Sequence, residues 1–187
     1  MFIFIKNIKI FKKVKGICKG ENEMGNYLIL DHCFLGKLFV DYINDFVTKN
    51  NFNIIASSMH RVVIQNDKTK SKLSFSTLRE EYLKRGIVNR IIGAVPIKSI
   101  DKRENIRLFV KKYNNRIDAL IILDYIKYPN IFSPFTIEFQ KNKILTSSQL
   151  KVLFSKMTEL YIAQLSNPSK FILEKRALIN YKFHMLL

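Results

Sequence analysis

The charge balance of this chain constrains its folding more than any other feature of the sequence. Its 187 residues include 32 lysines and arginines against 15 aspartates and glutamates, a formal net charge of +17. Mutual repulsion among so many cations destabilises a compact state unless counter-charges lie nearby. Hydrophobic residues nevertheless make up 48% of the chain, which rules out disorder along the whole length. We therefore expect a globular domain with a polyanionic partner, and nucleic acid is the foremost candidate.

The residue inventory also excludes several other classes of protein. Two cysteines, Cys18 and Cys33, are too few for a disulfide scaffold, so a reducing compartment is expected. No apolar stretch reaches the roughly 18 residues of a membrane span. The three histidines are far apart and the six glycines are scattered, so neither a zinc motif nor a phosphate loop is formed. The sequence predicts a non-catalytic protein with no cofactor, no metal and no small-molecule substrate.

Residues 1–24 are predicted to form a basic N-terminal arm. Six lysines and no acidic residue occur within the first 20 positions. Of these, Lys12 and Lys13 are predicted to contact RNA. An amphipathic helix lying on an anionic membrane surface is the alternative, and a solvated or RNA-bound arm is favoured over it.

The apolar pattern between residues 25 and 125 predicts an α+β domain. The predicted strands are 27–30, 52–55, 61–64, 87–92 and 117–123, and the predicted helices are 36–50 and 98–113. The segment 76–82 is compatible with either a helical turn or a strand. With 52–55 and 61–64 taken as two segments of one strand, the order is strand, helix, strand, strand, helix, strand, which is typical of a ferredoxin-like split βαβ domain.

Residues 126–187 are predicted to be a C-terminal extension outside that domain. A short strand is expected at 136–139. A helix is expected to begin after a Ser147 or Ser148 cap and to end at Pro168. The extension is basic and amphipathic, so one of its faces can contact protein while the other contacts phosphate.

Cations concentrate in the central part of the chain. Between residues 61 and 90 there are eight cations and three acids, with lysines alternating along a polar stretch at 68–72. Exposed loops with long cationic side chains suit phosphate contacts. The alternative is that this basic run is only a solvent-exposed loop with no binding role. The residues predicted to bind RNA here are Arg61, Lys68, Lys70, Lys72, Arg79, Lys84, Arg85 and Arg90, with Tyr82 as a stacking platform.

Two features together resemble the small-subunit ribosomal protein ten family. These are the order of elements from residue 27 to 123 and the segment Arg79-Glu80-Glu81-Tyr82, followed by Arg85. The resemblance implies a ferredoxin-like domain whose hairpin, at about residues 60–78, projects into the rRNA of the subunit head. It also implies rRNA and neighbouring ribosomal proteins as partners. Lys, Ile, Asn and Phe dominate the composition, which suggests an AT-rich coding sequence. Together with the added extensions, this points to a mitochondrial ribosome in the matrix, and otherwise to a cytoplasmic ribonucleoprotein.

A second resemblance is to the pyruvoyl-dependent S-adenosylmethionine decarboxylases. It rests on the segments 24–31, 57–60 and 71–74. The self-cleaving serine of that family lies between Glu and His, whereas Ser71 lies between Lys70 and Lys72, so an inactive relative is the most this resemblance implies. An independent nucleic-acid-binding regulator is the other alternative to the ribosomal interpretation.

Overall fold

The structure is a computed structural model that describes residues 25–31, 34–57, 75–138 and 146–182. Its strands are β1 (Gly25–Leu30), β2 (Phe52–Ala56), β3 (Ile91–Ala94), β4 (Ile117–Asp124) and β5 (Thr136–Glu138). Its α-helices are α1 (Lys37–Lys49), α2 (Phe75–Lys84), α3 (Lys102–Tyr113), α4 (Ser147–Ser166) and α5 (Pro168–Asn180). Short 3₁₀ turns occupy Asn114–Arg116 and Asn130–Phe132.

The five strands form one sheet in the order β3-β2-β1-β4-β5, and all four pairings are parallel. Both faces of the sheet are buried. In β1, Leu28 and Leu30 pack into one core cluster while Tyr27 and Ile29 pack into the other. This two-sided burial explains why the strands are nearly continuous apolar runs rather than alternating ones.

Helices cover both faces of the sheet. The cluster on one face includes residues of α1, α2 and α4, and the cluster on the other includes residues of α3 and α5. The predicted first helix is confirmed, because α1 turns Val40, Ile43 and Val47 toward the sheet. The molecule therefore has three layers, with the sheet in the middle.

The ferredoxin-like arrangement predicted from the sequence is not what the structure has. A mixture of helices and strands is confirmed, but a ferredoxin-like sheet contains antiparallel neighbours and every pairing among the described strands is parallel. The physical reason lies in the segment that the sequence left undecided. Residues 75–84 form helix α2, which lies between β2 and β3 in the sequence, and a crossover that contains a helix makes the two strands that it joins parallel.

The predicted boundary after residue 125 does not separate two bodies. Leu150, Leu153 and Met157 of α4 belong to the same core cluster as Leu28 of β1. The predicted strand near 136–139 is present as β5, which pairs with β4. Residues 126–138 and 146–180 thus complete the sheet and its helical layers rather than forming an appendage.

Other predictions have mixed outcomes. The strand predicted at 117–123 is confirmed as β4, whereas the one predicted at 87–92 begins only at Ile91. Pro168 ends α4 as predicted and also opens α5, where its missing N–H is not needed. The arm at 1–24, the strand at 61–64 and most of the hairpin at 60–78 lie outside the described residues.

A side-chain amide of α4 extends the hydrogen bonding of β4 beyond the short strand β5. Gln164 is buried, its Oε1 accepts from the Leu120 N–H at 2.9 Å, and its Nε2 donates to the Leu120 carbonyl at 2.8 Å. The same Nε2 donates to the Pro134 carbonyl at 2.8 Å. One glutamine therefore satisfies backbone groups that β5 is too short to reach.

We predict that Gln164→Ala strongly destabilises the fold. Removing the amide leaves the buried N–H and carbonyl of Leu120 without partners, at a cost of about 1–3 kcal/mol for each group. Urea unfolding of the variant measures the loss. Lys156→Ala on the exposed face of the same helix is the control and should stay within about 0.5 kcal/mol of the parent. Equal stability of the two variants would contradict the described pairing.

Candidate nucleic-acid interface

The two ends of the parallel strands differ in chemistry. We call the side of the sheet at which the strands end the carboxyl edge, and the side at which they begin the amino edge. The carboxyl edge contains the topological switch point, because the chain leaves β1 toward β2 and β3 on one side and returns to β4 on the other. In open parallel sheets a crevice at this point is the usual ligand site.

At the carboxyl edge, one lysine lies between two aspartates. Asp31 directly follows β1, Asp124 ends β4, and Lys102 opens α3. The Lys102 Nζ contacts Asp31 Oδ2 and lies 2.5 Å from Asp124 Oδ2. All three residues are at most 4% exposed. The crevice at the switch point is thus filled by an internal ion cluster, in which one ammonium faces two carboxylates.

A tyrosine completes this cluster. The hydroxyl of Tyr128 donates to Asp124 Oδ2 at 2.7 Å. Burial, followed by the negative charge of Asp124, raises the pKa of Tyr128 well above its usual value of 10. The phenol therefore stays protonated and serves as a donor to the carboxylate over the whole neutral range.

The loop that leads into α3 is held by local hydrogen bonds. Asn105 Oδ1 accepts from the N–H groups of Lys98 and Ser99, at 2.7 and 2.8 Å. Asp101 caps the helix by accepting from the Arg103 N–H at 2.9 Å. Burial raises the pKa of Asp101, but hydrogen bonds from Arg103 outweigh it and lower the pKa below its usual value. These bonds fix where Lys102 enters the cluster.

Among the described residues of this edge, the hydroxyl of Ser57 is a buried polar group that no hydrogen bond satisfies. Ser57 follows β2 and is fully buried, and its Oγ has no hydrogen-bond partner within the described ranges. Its backbone N–H donates to the Leu30 carbonyl at 2.9 Å, which keeps it beside the end of β1. Within the described ranges, no three His, Cys, Asp or Glu side chains come together in a way that would hold a metal ion.

The amino edge of the sheet is strongly basic. Helices that connect parallel strands run antiparallel to them, so the last turns of α2 and α3 lie at this edge, as do the residues just before β3 and β4. These positions hold two groups of cations. The β3-side cations are Lys84, Arg85 and Arg90, and the β4-side cations are Lys111, Lys112 and Arg116.

The turn that carries the β3-side cations is fixed to α1. Asn44 Nδ2 donates to the Gly86 carbonyl at 2.8 Å, and Asn44 Oδ1 accepts from the Val88 N–H at 2.9 Å. Gly86 has a φ of +90°, a backbone conformation that side-chain-bearing residues rarely adopt. Lys84 and Arg85, both exposed, are thereby held on a rigid turn.

Several of the predicted RNA-binding residues are brought together here. Arg79 donates to Asn89 Oδ1, and Arg90 Nη1 donates to Asn51 Oδ1 at 2.9 Å. Arg85 pairs with Glu81 at 3.0 Å. Arg79, Lys84, Arg85 and Arg90 therefore surround one end of the sheet. The other predicted contacts, Lys12, Lys13, Arg61, Lys68, Lys70 and Lys72, lie outside the described residues.

Tyr82 does not have the role predicted for it. Its ring is fully buried in the core, and its hydroxyl donates to the Leu30 carbonyl at 3.0 Å. A base cannot stack on a ring that the core covers. The prediction was wrong because helix α2 turns Tyr82 toward the sheet together with Leu78, four residues earlier.

The β4-side cations were missed by the sequence analysis. Lys111 and Lys112 are exposed in the last turn of α3 and Arg116 directly precedes β4. In the sequence they are 20 or more positions from the β3-side cations, so only the parallel topology brings both groups to one edge. Lysines in a last helical turn also stabilise the helix dipole, which is a structural role for Lys111 and Lys112 alongside any binding role.

Comparisons of the chain with protein-family models, curated proteins and solved structures return no match. None of the helices within the described ranges is both long and apolar enough to cross a membrane.

We predict that Lys102→Met destabilises the fold by about 3–5 kcal/mol, because it leaves two buried carboxylates without a counter-charge. Urea unfolding measures the loss. The triple change Asp31→Asn, Lys102→Met and Asp124→Asn removes all three charges and should recover most of the stability. If Lys102→Met alone unfolds at the urea concentration of the parent, the ion cluster does not hold this edge.

We predict that the effect of Tyr128→Phe depends on pH. At pH 7 the variant loses a hydrogen bond to a charged group and should be about 1.5–3 kcal/mol less stable. Above pH 10 the unfolded parent ionises its tyrosine while folded Tyr128 stays protonated, so the parent loses stability that the variant does not lose. The difference between the two should shrink as the pH rises from 10 toward the folded pKa. Chemical denaturation at pH 7 to 11 checks this, and a constant difference would contradict it.

Proposed function

We propose that this protein binds RNA through the amino edge of its sheet and acts as a non-catalytic component of a ribonucleoprotein. The observation that carries the proposal is the convergence of two cation groups, distant in sequence, on that edge. Lys84, Lys111 and Lys112 are exposed there, and no acidic partner contacts them within the described residues. The net charge of +17 supports an extended polyanion as the partner.

The place at which the basic N-terminal arm joins the sheet also supports the amino edge as the RNA-binding surface. Asn26 of β1 is paired with Phe52 of β2, and the Phe52 carbonyl accepts from Arg90 Nη1 at 3.4 Å. The chain therefore joins the fold beside the β3-side cations. Six lysines lie in the first 20 residues, so the strongest run of positive charge in the sequence is connected to this edge.

The setting we propose is the small subunit of a mitochondrial ribosome, with rRNA and neighbouring ribosomal proteins as partners. The support for this setting is the charge, the Arg79-Glu80-Glu81-Tyr82 segment and the composition. The parallel sheet gives it no support, because the family that this segment resembles has a ferredoxin-like domain. The RNA-binding proposal rests on the surface and stands separately from the ribosomal one.

We predict that three lysines of the amino edge contribute more to RNA binding than three others of equal charge. Lys84, Lys111 and Lys112 are changed together to Gln. The control changes Lys37, Lys98 and Lys127, which are exposed near the carboxyl edge, so both variants lose the same net charge. The amino-edge variant should reduce the salt dependence of RNA binding by about 2 in log-log slope, since each phosphate contact contributes roughly 0.7. Equal losses in both variants would mean that overall charge, not this edge, determines binding.

The ribosomal setting has its own test. We expect the native protein to sediment with small ribosomal subunits in a sucrose gradient at moderate salt, and to shift to the top after ribonuclease treatment. A free nucleic-acid-binding regulator would leave the subunit fraction as salt is raised. Sedimentation of the protein away from subunits in low salt would exclude the ribosomal setting while leaving RNA binding open.

A further inference from the structure

The two cation groups of the amino edge are separated across the sheet. Arg90 directly precedes β3 and Arg116 directly precedes β4. In the strand order β3-β2-β1-β4 these positions are three strand spacings apart, which is roughly 14 Å. A single nucleic-acid strand offers one row of phosphates, whereas a double helix offers two rows separated by a groove. Two separated cation groups on one rigid edge therefore match a duplex.

The aromatic rings in the described part of this edge are not available for stacking. Tyr82, Tyr113 and Phe52 are all buried, and the half-buried ring of Tyr161 packs edge-on against Phe52 with centroids 5.0 Å apart. Proteins that bind single strands without sequence preference rely on exposed aromatic side chains as stacking platforms. The described part of this edge presents cations and amides instead, which suits a duplex whose bases stay stacked.

Asparagines lie between the two cation groups in the strand order. Asn26 lies in β1, Asn50 and Asn51 precede β2, and Asn53 lies within it. The amide nitrogens of Asn26 and Asn50 donate within the fold, to the Asn50 carbonyl and the Tyr161 hydroxyl and to the Phe46 carbonyl, respectively. Asn51 is exposed and has a φ of 52°, a conformation that asparagine tolerates better than most residues. Its Oδ1 is held by Arg90, which leaves its amide nitrogen as a donor. The wide, shallow minor groove of A-form RNA displays 2′-hydroxyls, and such hydroxyls pair with amide groups.

We propose that the amino edge recognises double-helical RNA across its minor groove. The β3-side and β4-side cations contact the two phosphate rows, and the exposed amide of Asn51 between them contacts a 2′-hydroxyl. This inference rests on the proposed RNA-binding function and specifies the form of RNA that the surface takes.

The first test compares three nucleic-acid probes of the same sequence. Each is about 20 nucleotides or base pairs long, a little more than the 16 base pairs that a small duplex-binding domain spans. The full chain is titrated with a blunt RNA duplex, a DNA duplex and an unpaired RNA strand. The RNA duplex should bind about tenfold more tightly than the single strand and more tightly than the DNA duplex. Equal or tighter binding of the single strand overturns the proposal, and equal binding of the DNA duplex overturns the role of the 2′-hydroxyls. Failure to bind any probe in low salt refutes the proposed function itself.

The second test examines the two cation groups separately. Lys84 and Arg85 are changed to Gln in one variant, Lys111 and Lys112 in another, and Lys37 and Lys127 in a control of equal charge. Each amino-edge pair should weaken binding of the RNA duplex and lower its salt slope, while the control changes both little. If one amino-edge pair behaves like the control, the edge contacts a single row of phosphates and the duplex arrangement is wrong. Circular dichroism of each variant verifies that the fold is intact.

Discussion

Lys102 joins the two halves of the sheet, because its ammonium contacts Asp31 at the end of β1 and Asp124 at the end of β4. These two strands are neighbours in space but lie on either side of the point where the chain reverses its direction across the sheet. Burying three charges carries a large desolvation cost that only close pairing offsets. The ion cluster therefore fixes the relative positions of β1, β4 and α3. The helical layers that pack on these elements are positioned by them in turn.

The two edges of the sheet differ in how their charged side chains are paired. At the carboxyl edge the two buried carboxylates are paired within the fold, by the Lys102 ammonium and by a hydrogen bond from the Tyr128 hydroxyl. At the amino edge Lys84, Lys111 and Lys112 are exposed, and no acidic side chain of the described residues contacts them. The same parallel topology that gathers carboxylates at one end gathers cations at the other.

The sequence was informative where burial dictated a pattern and uninformative where topology decided. The apolar runs of β1, β2 and β4 and the stripe of α1 could be predicted, because each satisfies a local period. Whether 75–84 was helix or strand could not, since Phe75, Leu78 and Tyr82 fit a helix face while the charged residues between them fit several structures. That single ambiguity decided between a ferredoxin-like and a parallel sheet. It also concealed the proposed RNA-binding edge, because only the parallel arrangement brings Lys84 and Lys111 to the same edge of the sheet.

Gln164 also affects how the protein would aggregate when it is partly unfolded. A strand border with unpaired amides is a template on which further chains can add, and α4 closes that border at Leu120 with a side chain rather than with another strand. Undocking of the α4–α5 hairpin would thus do more than loosen a terminal segment. It would expose the unpaired backbone N–H and carbonyl groups of β4 beside its apolar side chains. Self-association would therefore start at this strand. A complex that holds the hairpin in place would suppress it.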